Sequence, residues 1–152
     1  MEMTMTTYTI EQLDKESLYT TKVLRYLVDV GPVLTKKFDN EFDWKHCQVD
    51  ELVEKCTFLV CKRNDEITGH LIAHLYNSPL DSTVKIFYQI SFYAKPDSGR
   101  TAYHLFRKFI DIGKERADHI ITMLTTETNI KSSTLENMGF KETETLYRMR
   151  TK

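Results

Sequence analysis

Two groups of residues have the types and spacing to do chemistry. His70 and His74 fall in the run Ile67-Thr68-Gly69-His70-Leu71-Ile72-Ala73-His74-Leu75-Tyr76, which alternates like a strand. On a strand His70, Ile72, His74 and Tyr76 share one face, opposite Gly69, Leu71, Ala73 and Leu75. A neutral imidazole with a pKa near about 6.5 can take a proton from a nucleophile, directly or through water. The competing reading is a pair of histidines on a half-exposed strand face. Their separation along a strand is too long for easy ligation of one ion, so no metal site is expected.

The second group is Ser98-Gly99-Arg100-Thr101-Ala102, which follows a strand and opens a helix. A helix N-terminus presents unpaired backbone N–H groups and the positive end of the helix dipole. Small residues there let a bound anion come close to the backbone. Arg100 adds a fixed positive charge, and Lys95, Arg107 and Lys108 extend it into a local basic patch. Tyr103 and His104 would flank such a groove. A plain strand–turn–helix connection, with Gly serving the turn, is the alternative.

The elements that must position these groups follow from hydrophobic period. Thr6 to Ile10 is β-rich and reads as a first strand. From Lys15 to Val30 the residues Leu18, Tyr19, Val23, Leu24, Leu27 and Val28 recur at helical spacing, and Gly31-Pro32 is expected to stop that helix. The segment holding Phe38, Phe42, Trp44 and His46 has no firm period. Its aromatics read as a satellite cluster. Val49 to Lys55 reads as a short helix. Thr57–Cys61, Ile67–Tyr76 and Val84–Ala94 are strand-like runs separated by turn residues, and a meander is the simplest arrangement. Alternation on the third run puts Phe87, Gln89, Ser91 and Tyr93 on one face and Ile86, Tyr88, Ile90 and Phe92 on the other. The first set is more polar, which makes it the candidate substrate face and Gln89 a candidate catalytic residue beside His70 and His74.

Thr101 to Ala117 returns to helical period, with Leu105, Phe106, Phe109 and Ile110 as its core stripe. His119–Leu124 is a short strand. Asn129–Asn137 is a helix closed by Gly139 in the left-handed conformation, and Phe140–Met149 is a final strand. The order β, α, α, β, β, β, α, β, α, β implies one α+β domain over residues 1–152, three layers deep, with a mixed and mostly antiparallel sheet.

Composition bounds the function. The chain has 152 residues, 41% hydrophobic and 28% charged, as in soluble globular proteins. A net charge of -1 supplies no global basic field, so nucleic acid is not an expected partner. The N-terminus lacks a signal-peptide pattern, and no apolar stretch approaches the roughly 20 residues of a membrane helix. A cytoplasmic protein without membrane contact is expected. The 3 cysteines, Cys47, Cys56 and Cys61, read as reduced thiols.

Three local signatures in this order resemble the GNAT superfamily of acetyl-CoA-dependent N-acyltransferases. They are Glu66-Ile67-Thr68-Gly69-His70-Leu71, the strand–loop–helix unit from Phe92 to Leu105, and Asn137-Met138-Gly139-Phe140-Lys141-Glu142-Thr143-Glu144. The last, with Glu144-Thr145-Leu146-Tyr147, is similar to small members encoded by bacteriophages and their hosts. The resemblance runs from about Thr57 to the C-terminus and is topological before it. It implies that acetyl-CoA is the acyl donor and that Ser98, Gly99, Arg100, Thr101, Ala102 and Tyr103 meet its pyrophosphate. It also implies that Phe92, Tyr93 and Ala94 bond the pantetheine through their backbone, with Asn129 as a further pantetheine contact. The acceptor would be an amine on a small molecule or protein, attacking the thioester directly, and the resemblance offers Phe38, Phe42 and Trp44 as a wall over it in place of a satellite cluster. A homodimer is common in the family, and no residue here demonstrates one. The sequence departs from the family pattern in three places. Asp97 stands where an Arg or Gln belongs, Arg100 where the first loop Gly belongs, and Leu135 where many members carry a tyrosine acid. These departures keep a second reading open: a catalytically degenerate GNAT-like protein serving as a binding, virion-associated or regulatory factor.

Overall fold

Residues 5–37, 49–124, 130–147, 149 and 151 are described by the computed structural model. The elements run β1 (Tyr8–Gln12), α1 (Lys15–Leu18), α2 (Thr21–Lys37), α3 (Val49–Lys55), β2 (Thr57–Arg63), β3 (Glu66–Asn77), β4 (Lys85–Ala94), α4 (Thr101–Arg116), β5 (His119–Ile121) and α5 (Ser132–Asn137). They build a 5-stranded sheet in the order β1-β2-β3-β4-β5. The first four strands pair antiparallel, and β5 joins β4 in parallel. Parallel pairing needs a crossover, which α4 supplies.

Each face of the sheet buries its own core. On one side Val23, Tyr26, Leu27, Val30 and Leu34 of α2 pack on Phe58, Val60, Ile67 and Ile72, with Val49, Leu52 and Val53 of α3 against them. On the other, Leu105, Phe106 and Phe109 of α4 and Leu135 of α5 pack on Leu59, Cys61, Leu71, Ala73, Phe87 and Phe92. Three layers, the mixed sheet and the expected core stripe of α4 are all present. Among the described residues no helix is long and apolar enough to cross a membrane.

Three expectations are corrected. Pro32 does not stop α2, which continues to Lys37. A proline inside a helix costs about 3 kcal/mol, but Leu34 beyond it is only 1% exposed and extends the buried stripe of Val23, Tyr26, Leu27 and Val30. Packing outweighs the lost hydrogen bond. The single helix expected over 15–30 is split at Thr20. Asp14 caps α1 in a reciprocal box with Ser17, and α2 begins afresh at Thr21. The final strand is absent from the described part of 140–149. Leu146 is 69% and Tyr147 89% exposed, and β-propensity without a partner strand does not make a strand.

The third signature nevertheless folds as its glycine dictates. Gly139 has φ of 104°, its N–H donates to Glu136 O, and Phe140 N–H donates to Leu135 O. That is a Schellman ending, and Phe140 packs against the apolar cluster that holds Leu135.

Candidate active site

The loop between β4 and α4 is held from three directions. Thr101, fully buried at the first turn of α4, donates from Oγ1 to Ser98 O at 2.9 Å. Its only hydroxyl proton being committed, it accepts from Thr68 Oγ1 at 2.7 Å. Thr68 reaches that position because it is the extra residue of a bulge: Cys61 pairs with Gly69 and Lys62 with Ile67. Arg63 Nη1 donates to Asp97 O at 3.1 Å, and the Tyr8 hydroxyl accepts from Arg100 N–H at 3.0 Å while its ring stacks on His104 at 4.6 Å. Burial and the Arg100 charge lower the pKa of His104.

Gly69 and Gly99 are required by this crowding. A Cβ on Gly69 would stand 2.5 Å from Tyr93 O and 2.8 Å from Thr101 Cγ2. Gly99 has φ of 66°, and a side chain there would collide with the Tyr8 hydroxyl. Asp97, also at positive φ, is exposed and does not cap α4, whose N-cap is Arg100 with no side-chain bond. The backbone N–H groups of the first α4 turn have no intrahelical acceptor, as at any helix start. Arg100 lies over the Tyr103 ring at 4.2 Å. The expected basic patch is divided: Lys95 leans over Tyr26 on the α2 side, and Arg107 pairs with Asp111. Arg63, which sequence reasoning missed, stands at the loop instead.

Beside this loop the sheet opens. The β4–β5 pairing covers only Ile86 to Tyr88 against His119 to Ile121, so from Gln89 to Ala94 the outer edge of β4 has no paired strand among the described residues. Gln89 sits at the fork. Its Oε1 accepts from Thr122 Oγ1 at 2.9 Å and Met123 N–H at 3.3 Å, which ties β4 to the chain leaving β5. Phe92 packs on Phe106 under α4, and burial raises the pKa of Tyr93 on the opposite face.

The expected face of Phe87, Gln89, Ser91 and Tyr93 is broken by a second bulge. Ile72 pairs with Ser91 and Ala73 with Gln89, leaving Ile90 as the extra residue. Phe87 and Phe92 therefore lie together in the α4 core, while Ser91 bonds to His70 beneath α2. A one-residue insertion reverses every side chain beyond it. Two core aromatics at an odd-numbered separation, Phe87 and Phe92, were the signal in the sequence.

His70 lies at the centre of the α2 layer, fully buried among Tyr26, Phe58 and Tyr93. Its Nδ1 meets the Tyr26 hydroxyl at 2.7 Å and its Nε2 meets Ser91 Oγ at 2.9 Å. Desolvation lowers its pKa to about 3, so it stays neutral and takes no proton from an amine near pH 7. His74 is half-buried on the same face, stacked on Tyr76 at 5.7 Å with Cys56 Sγ 3.8 Å from Nδ1. Burial raises the Cys56 and Cys61 thiol pKa values, which keeps both thiols protonated. Leu135, in the α5 core, offers no proton. Among the described residues no cluster of metal-ligating side chains occurs. Asn129, Phe38, Phe42, Trp44, His46 and Cys47 lie outside the described residues.

No family model and no curated protein matches the sequence. Solved structures do match in three dimensions. An aminoglycoside acetyltransferase from an uncultured soil metagenomic sample superposes with a TM-score of 0.67 at 13% identity, covering 96% of this chain and 99% of that one. The ribosomal-protein-alanine N-acetyltransferase of Brucella melitensis biovar Abortus 2308 gives 0.66 at 14% identity over 96% and 100% of the two chains. The chain has the GNAT fold. AAC(6')-Iy, solved with the bisubstrate analogue CoA-S-monomethyl-acetylneamine, matches with a TM-score of 0.67 at 15% identity, over 96% and 99% of the chains. In this chain the fork between β4 and β5 and the first turn of α4 lie at the same end of the sheet, joined by the six residues from Lys95 to Arg100.

Proposed function

We propose that the protein is an N-acyltransferase that takes its acyl group from acetyl-CoA and passes it to an amine by direct attack. The observation that carries this reading is the outer edge of β4 from Gln89 to Ala94, which has no paired strand among the described residues and leads through a short loop into the N-terminus of α4. An extended pantetheine fits an open strand edge by backbone hydrogen bonding, through Phe92, Tyr93 and Ala94. A pyrophosphate fits the backbone N–H groups of the first α4 turn, with Ser98, Gly99, Thr101, Ala102 and Tyr103 around it and Arg100 above. The acceptor amine loses a proton as its bond to the acyl carbon forms, and the thiol gains one as the C–S bond breaks. Among His70, His74 and Gln89, the half-buried His74 is the group to receive the amine proton through water; His70 is too far inside, and Gln89 holds the fork. Asn129 remains the proposed pantetheine contact on the far side. A cytoplasmic location fits this chemistry.

The test is calorimetric titration of acetyl-CoA into wild type and Arg100→Glu. Gly99 is a poorer probe, because substitution at its positive φ strains the fold itself. Binding that weakens about tenfold or more in Arg100→Glu supports the site, since a charge-assisted contact becomes a repulsion. Binding by neither protein ends the acyltransferase reading. Thiol release with a panel of amines, including aminoglycosides and peptides beginning with alanine, then seeks the acceptor.

Leu135 favours a second reading. It fills the α5 core where many GNAT enzymes place a tyrosine acid, and a catalytically inert binding or virion-associated GNAT protein would need no donor there. Acetyl-CoA binding without turnover on any amine would select it.

A further inference from the structure

Tyr26, His70 and Ser91 are 3%, 0% and 4% exposed, and they form one hydrogen-bonded chain from α2 to β4. Among the described residues neither hydroxyl has a hydrogen-bond partner other than His70. A neutral imidazole carries one N–H, so it donates at one nitrogen and accepts at the other. The chain thus holds three protons and makes two hydrogen bonds. One hydroxyl proton is left over at one end, inside the protein.

The surroundings decide which end. Tyr26 lies in the α2 core with Lys95 over its ring, and among the described residues the hydrogen bond of its hydroxyl goes to His70. A phenol is also the stronger donor of the two hydroxyls. Tyr26 therefore donates to Nδ1, Nε2–H donates to Ser91 Oγ, and the proton left over is that of Ser91. Ser91 directly follows the bulged Ile90, on the stretch of β4 whose outer edge has no paired strand among the described residues. A buried donor without an acceptor is costly to maintain, and such groups belong where a ligand completes them.

We propose that Ser91 is a catalytic residue of the acyl transfer, donating its leftover hydroxyl proton in a hydrogen bond to the carbonyl oxygen of the acyl donor as negative charge develops there. His70 and Tyr26 are positioning residues that fix the direction of that hydroxyl. No proton changes hands, and the neutral His70 suits this role because it cannot reverse the chain by charging. The proposal rests on the acyltransferase reading above. A donor aimed in advance in a dry site contributes most where the charge forms.

Two measurements test it, and neither needs the acceptor. In 15N-labelled protein, long-range proton–nitrogen correlation reads the His70 tautomer, with Nε2–H expected. The opposite tautomer overturns the proposal, because Ser91 would then donate to His70 and have no proton to offer. Isotope-edited infrared spectroscopy of bound acetyl-CoA, labelled at the thioester carbonyl, reads the hydrogen bond itself. The stretch is expected to rise in Ser91→Ala and to return in Ser91→Thr, with unfolding curves of both variants matching wild type. A stretch unmoved in Ser91→Ala overturns the Ser91 role while leaving the acyltransferase reading intact. Wild type that binds no acetyl-CoA overturns both. With an accepting amine, Ser91→Ala is expected to lower kcat about 100-fold, as loss of one such donor does.

Discussion

The burial of His70 should make this protein lose stability in acid. His70 is neutral in the fold, with its pKa lowered by burial from 6.5 to about 3, whereas in the unfolded chain it titrates near the ordinary value. Between those two values the unfolded state binds one more proton than the folded state, so stability rises with pH there and falls as pH drops. The slope is about 1.4 kcal/mol per pH unit. At pH 5.0, about 1.5 units below the unfolded value, the loss relative to pH 8 is about 2 kcal/mol. Any folded value below about 4 gives the same loss at that pH, so the expectation does not depend on the depth of the shift. The assay is urea unfolding of wild type and His70→Gln at both pH values. His70→Gln is less stable overall, having lost a fitted ring, but its pH-dependent loss should be smaller than that of wild type by about 2 kcal/mol. Equal losses in the two proteins would refute the reasoning. An imidazole signal of His70 that titrates near neutrality would do the same without any variant.

Two further substitutions test the local geometry. Thr101→Val leaves Ser98 O without its buried donor and removes the nearer of two acceptors of Thr68, the other being Cys61 O at 3.4 Å, and it should cost about 1–3 kcal/mol in denaturant unfolding and weaken acetyl-CoA binding in calorimetry. Gly139→Ala adds a Cβ that meets nothing within 4 Å, so the φ of 104° alone is tested; a loss of about 1 kcal/mol or more in thermal unfolding is expected, with no loss leaving the Schellman ending unsupported.

Most elements were legible because hydrophobic period is local. The three-strand meander, the buried stripe of α4 and the left-handed Gly139 each need only neighbouring residues to declare themselves. What was not legible depends on contacts far apart in sequence. Nothing near Tyr8 announces that its hydroxyl will meet Arg100 N–H, and nothing near Tyr26 announces His70. Pro32 was misjudged because propensity was weighed without the burial of Leu34, and the C-terminal strand because propensity was weighed without a partner. The loop from Ser98 to Thr101 was legible as a connection from strand to helix, but the reason a glycine stands at Gly69, about thirty positions earlier, is tertiary: β4 and α4 both close on it.

The two bulges divide the work of the β3–β4 pair between the faces of the sheet. Strict alternation would give each face every second residue and could not place Thr68 and Gly69 toward α4 while keeping Ile67 and His70 in the α2 layer. The extra residue at Thr68 permits it, and the loop before α4 is anchored as a result. On β4 strict alternation would put Phe87 and Ser91 on one face, which would either leave an aromatic out of the α4 core or pull Ser91 away from His70. The extra residue at Ile90 keeps Phe87 and Phe92 together and still brings Ser91 to Nε2. A bulge leaves one backbone unit unpaired and bends its strand, and the one at Ile90 falls where β4 parts from β5. The placement of the buried serine is thus a consequence of one inserted residue, whose side chain is 38% exposed and which stands where the described strands β4 and β5 part.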